Sequence, residues 1–327
     1  MPIHDAGYRA WEGRRVSEWT RWFTISSTGI RRASKSTWLK RLLFLALVPL
    51  LFFAIPFFLF EQSSRDPQIW RAFSGFIQGM PQAKELREAI GQMSGSPTPE
   101  QFDAIRHDVW SYLLLTLMRY PQALLMVVVV GIVAPPLISQ DLRTRAYLIY
   151  FARPISRLEY IAGKVGVVAF YLLSIATLPA LILYLLGVML SPSLEVILST
   201  WDLPLRVLVA SVCLIVPTTL VALAFSSLTL ESRYAGFGWF AMWIIGHVTY
   251  SALISWPSFE AAQRRQTFEP TWQILTSPYQ VLGAVQSYVF GFEGDAALTQ
   301  RSFLLLIAVS IVSLVILFRR VIAPMRV

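Results

Sequence analysis

Cysteine is nearly absent. Cys213 is the only one in 327 residues, which excludes an intrachain disulfide framework. Charge is scarce too: 14% of residues, against 55% hydrophobic and 13% aromatic, is too apolar a balance for a water-soluble domain of this length. The chain carries no HExxH metalloprotease motif, no GxSxG nucleophile elbow and no Cys/His pair able to meet. A nucleotide-binding P-loop is missing as well. Gly163-Lys164 has its ending, but Leu158 stands where the first glycine belongs and Val165 where the magnesium-binding Ser/Thr belongs. No polar stretch is long enough to hold an ATPase domain.

What the chain does have is long apolar runs. About 17–25 apolar residues cross a hydrocarbon layer of about 30 Å, and six windows qualify: 42–60, 122–139, 165–190, 205–228, 235–256 and 302–318. The expected fold is an all-α integral membrane protein. A cytoplasmic arm (1–41) precedes a six-span domain (42–327), with outer loops at 61–121 and 257–301 and a charged segment at 140–164 on the inner side. The first run begins after about 41 residues and ends in PFFLFEQSS, bulky where a signal peptidase needs small residues, so it reads as a retained span.

Orientation follows from Lys and Arg, which favour short cytoplasmic segments. Nine precede Leu42, five lie between Gln140 and Lys164, three follow span six, and Ser191 to Pro204 holds none. Both termini and the 140–164 segment therefore share the cytoplasmic side. The Glu61 to Met118 loop has five basic residues but seven acidic ones. The net charge of +9 thus reflects topology and gives no reason to expect nucleic-acid binding.

Local signals add detail. Trp19, Trp22 and Phe23 recur at helical spacing while Arg14, Arg15 and Arg21 take other faces, predicting an amphipathic helix in the headgroup plane. Thr98-Pro99-Glu100-Gln101 and Ser277-Pro278-Tyr279-Gln280 each predict a helix start. The first helix would run through Phe102, Ile105, Val109 and Tyr112, with Pro121 interrupting or kinking it before span two. The second would rest on or re-enter the outer leaflet. Arg119 is expected to snorkel to water, and Pro135-Pro136, Pro179 and Pro217 to kink their spans.

The charged segment is the most informative part. Pro154 is expected to break a helix beginning near Asp141, and Ser156-Arg157-Leu158-Glu159 is a capping box that starts a new helix running without interruption into span three. A push on Arg153 or Arg157 would then move span three as a lever. An acidic residue after span two, an aromatic-rich stretch, Arg153-Pro154-Ile155-Ser156-Arg157, Tyr160 and Gly163-Lys164 opening span three together resemble the signature of type-2 ABC exporter permeases. The resemblance implies a coupling helix that docks on a separate ATPase subunit, with Asp141, Arg143, Arg145, Arg153, Pro154, Arg157, Glu159, Tyr160 and Lys164 facing or shaping that contact. It further implies a homodimer with two ATPase subunits, ATP and Mg bound by those partners with no cofactor in this chain, and a bacterial cytoplasmic membrane. A non-transporting membrane anchor or sensor, or an intramembrane hydrolase, are the alternative readings. Within the spans, Trp239, Trp243 and His247 are the candidate pathway-lining residues. The plainer expectation for His247 is a neutral imidazole hydrogen-bonded to a neighbouring span.

Overall fold

The computed structural model describes residues 20–63, 66–80, 84–92, 98–146, 155–264, 268, 270–292 and 294–322. Among these no strand occurs, and six helices are long and apolar enough to cross a membrane: Thr37–Ser63, Glu100–Arg143, Arg157–Leu190, Val196–Leu228, Ser232–Ala261 and Ala296–Arg320. Each contains one of the six apolar windows, and each is longer than its window. The chain therefore reads as a multi-pass membrane protein.

The extra length comes from capped and proline-led helix starts. Helix α1 (Arg21–Ala33) precedes α2 (Thr37–Leu45), whose N-terminus is capped by Ser36 accepting from Leu39 N, and α3 (Leu47–Ser63) completes span one. The predicted loop 61–121 is largely helical: α4 (Pro67–Gln78), α5 (Lys84–Gln92) and α6 (Pro99–Arg119). The Thr98/Gln101 capping box forms in both directions, at 3.4 and 3.0 Å. Phe102, Ile105, Val109 and Tyr112 are all buried, as their spacing predicts.

Pro121 interrupts this helix as expected: α6 ends at Arg119, Tyr120 is a turn, and a new helix opens at once. The proline takes the first position of α7 (Pro121–Val133), where the missing N–H is harmless, and Tyr120 N still bonds to Thr116 O. The resulting 44-residue span two, at 1.5 Å per residue, is about 66 Å long, roughly twice the hydrocarbon thickness. Its excess packs with α3, α4 and α5 into an aromatic core at the end of the bundle away from the 140–164 segment. There Phe60 stacks on Phe102 at 4.3 Å and Phe57 meets Trp110.

At the other end, α8 (Pro135–Arg143) finishes span two. Span three is α9 (Arg157–Leu172), a π-helical turn at Leu173–Thr177, and α10 (Leu178–Leu190). The wide turn lies just before Pro179, whose ring cannot fit a regular helical turn. Helix α11 (Val196–Thr200) leads into α12 (Asp202–Leu228), the central helix, which packs on α8, α9, α13 (Ser232–Gln263), α14 (Pro278–Val289) and α15 (Ala296–Ile322). The 12-residue α14 is too short to cross a bilayer; Val281, Leu282, Val285 and Gln286 bury it among the spans, beyond the surface-lying alternative. It starts at Pro278 as expected, but Ser277 makes no side-chain cap.

Candidate functional site

The 140–164 segment is built on two helix ends. A helix was expected to begin near Asp141, but α8 already passes through Asp141 and stops at Arg143. Arg145 adopts φ 55°, and the bonds Ala146 N to Asp141 O and Arg145 N to Leu142 O close a Schellman turn. A non-glycine residue in this left-handed region is strained. The fold holds it there because the last carbonyls of α8 need those donors. Opposite, Ser156 caps α9: Glu159 N donates to Ser156 Oγ at 3.2 Å and Ser156 N to Glu159 Oε2 at 2.6 Å. Arg153 and Pro154 lie outside the described residues.

The predicted coupling residues divide into two groups. Asp141, Tyr160 and Lys164 point inward. Lys164 Nζ lies 2.6 Å from Asp141 Oδ2, Tyr160 Oη donates to the same carboxylate at 2.8 Å, and the ammonium sits 5.2 Å from the Tyr160 ring centre. With both charged side chains about nine-tenths buried, this is a desolvated clamp joining the end of α8 to the second turn of α9. Arg143, Arg145 and Arg157 stay on the surface, with Leu158 65% exposed beside them. Arg143 also bonds to Glu231 at 3.1 Å, tying α8 to the start of α13.

Two further contacts immobilise this end. Helix α1 lies along α9, where Ser26 Oγ donates to Gly163 O at 2.9 Å. A Cβ at Gly163 would come within 2.6 Å of Ile25, so only glycine permits the crossing. Trp22 and Phe23 are exposed on α1, consistent with an amphipathic helix, whereas Trp19 lies outside the described residues. The α8 start is held by Ser226 of α12. Its Oγ donates to Pro135 O at 2.6 Å and accepts from Ile138 N and Ser139 N at 3.1 Å.

Of the three candidate pathway residues, Trp239 and Trp243 are brought together and His247 is not. Trp239 donates to Val127 O at 2.9 Å and meets Trp243 edge-on. Both line an apolar cavity of about 250 Å³ with Pro217, Thr218 and Leu282. His247 is exposed, on a flank it shares with Ile244, Ile245 and Val248, and has no hydrogen bond among the described residues. The expected bond to a neighbouring span is therefore corrected: the side chain faces outward.

Sequence reasoning missed three polar contacts in the other half. Buried Glu61 accepts from Trp110 Nε1 at 3.0 Å and lies 3.4 Å from Arg106. His107 Nε2 meets Asp202, which also accepts from Arg206 Nε at 2.7 Å. Arg119 is buried, not snorkelling, and donates to Ser287 and Gln280 of α14. A Cβ at Gly283 would collide with that guanidinium. Apart from the i,i+4 pair Asp202–Arg206, these partners are separated by 45 to 168 residues, and no local pattern signals them. No family model matches the chain, and no curated protein matches it.

Proposed function

We propose that this chain is the membrane-spanning subunit of an ATP-driven exporter of the type-2 ABC kind, working as a homodimer with two copies of a separate ATPase in a bacterial cytoplasmic membrane. One observation carries the reading: the two feet of the 140–164 segment are locked to each other by Asp141, Tyr160 and Lys164, while Arg143, Arg145, Arg157 and Leu158 remain at the surface. Such a segment transmits force. A partner that binds the exposed edge moves the second turn of α9 and, through its unbroken helix, span three. ATP and Mg belong to that partner, and the spans form the path. The apolar walls suit an amphipathic or lipid-like substrate.

The test is to purify the tagged full chain in mild detergent after co-expression with its genomic neighbours. The expected result is a stoichiometric ATP-binding protein with vanadate-sensitive ATPase activity, lost from the Arg157→Glu variant although that variant inserts and melts normally. A chain that purifies alone and without ATPase activity would overturn the reading in favour of a membrane anchor or an intramembrane hydrolase.

A further inference from the structure

Beside the clamp lies a cavity of about 360 Å³ enclosed by α1, α2, α7, α8 and α9, within the size range of small-molecule sites. Its lining mixes two chemistries: Thr28, Arg32, Ser36 and Gln140 with the Asp141/Lys164 pair, and the apolar Ile25, Leu39, Ile132, Val133 and Leu137. Ile132 is 38% exposed, so the apolar lining continues to the outside of the bundle.

The charge balance favours an anion. The Asp141 carboxylate is already met by Lys164 and Tyr160, which leaves Arg32 as the uncompensated charge of the cavity. The Arg32 guanidinium has five N–H groups, and among the described residues its one hydrogen bond goes to Gln140 at 2.9 Å. Its surroundings reinforce it. Residues 20–41 include Arg21, Arg31, Arg32, Lys35, Lys40 and Arg41 and no Asp or Glu. Trp38, 69% exposed with Arg41 5.5 Å from its ring centre, is an aromatic of the kind that settles at headgroup depth. Basic pockets between membrane helices at this depth attract anionic headgroups.

We propose that this cavity is a binding site for an anionic phospholipid, its phosphate held by Arg32, Gln140 and the Ser36 hydroxyl, its chains leaving along Ile132 and Leu137. The site goes beyond the transport reading and is tested without any ATPase. A bound lipid would contact α1, α8 and α9 together, so it would brace the clamp from the membrane side.

The delipidated full chain should be titrated with dioleoyl phosphatidylglycerol, dioleoyl phosphatidylcholine and inorganic phosphate, with retained molecules counted by native mass spectrometry. Wild type should retain one phosphatidylglycerol in preference to phosphatidylcholine. Arg32→Gln should weaken that binding about fivefold to tenfold, the scale of one interfacial cation, whereas Arg31→Gln, outside the cavity, should not. Ile132→Trp should displace the lipid while leaving the headgroup residues in place, which keeps the test decisive if Arg32→Gln folds poorly. Equal loss in the Arg31 and Arg32 variants would reduce the effect to diffuse surface charge and overturn the site. Tight binding of inorganic phosphate alone, in competition with lipid, would overturn the lipid as occupant. Unchanged binding in both Arg32→Gln and Ile132→Trp would overturn the proposal altogether.

Discussion

Replacing Lys164 with Met should destabilise the chain far more than replacing Lys164 and Asp141 together. The ammonium and carboxylate lie 2.6 Å apart with about a tenth of each side chain exposed, so the pair interacts where water screens little. Removing one member of a buried pair costs about 3–5 kcal/mol, because the remaining charge keeps its desolvation penalty without its partner. In Lys164→Met only the Tyr160 hydroxyl would remain of the observed partners of Asp141. With Asp141→Leu added, no charge is buried at this site, and the residual penalty is the displaced Tyr160 hydroxyl, about 1–3 kcal/mol. The double variant should thus recover about 2 kcal/mol relative to the single. At the specific unfolding entropy of globular proteins, the single variant corresponds to a shift of about 4–7 °C for a chain of this length. Thermal melting of the four members of the cycle in one detergent measures this. Two single effects that simply add in the double variant would refute the clamp, since uncoupled residues behave that way.

Ser226→Ala removes three buried hydrogen bonds made by one hydroxyl at the Pro135-Pro136 break and should cost about 1–3 kcal/mol. Faster amide exchange at Ile138 and Ser139 would localise the loss, and a change in melting below about 0.5 kcal/mol would count against the assignment. His247→Phe, on the exposed flank of α13, should stay within about 0.5 kcal/mol of wild type in melting and keep normal assembly; a large loss of stability would mean that the imidazole is engaged by another subunit.

Local signals in the chain translated directly into local structure. The Thr98 and Ser156 capping boxes formed because their partners lie three residues away, within reach before any tertiary contact exists. Prolines were less legible. Pro121 was expected to interrupt or kink its helix and Pro135 to kink its span; each opens a new helix after a one-residue break, at a first helical turn where its missing N–H costs little, and whether a proline opens a helix or bends one depends on how its neighbours pack. The candidate site was legible as a segment and not as a geometry. The sequence spacing placed Asp141 and Lys164 on opposite feet of it, but the resemblance implied only that they face or shape a partner contact, without saying which. They sit where α1, distant in sequence, closes over α9 through Ser26 and Gly163.

By itself, then, the sequence determined that this is a six-span helical membrane protein, because apolar length and helix-cap chemistry are properties of contiguous residues. Only the tertiary structure decided which charges are buried. Arg119 meets Ser287 and Lys164 meets Asp141 because packed helices bring those side chains together, and an ion in an apolar interior is stable only where the fold supplies its partner.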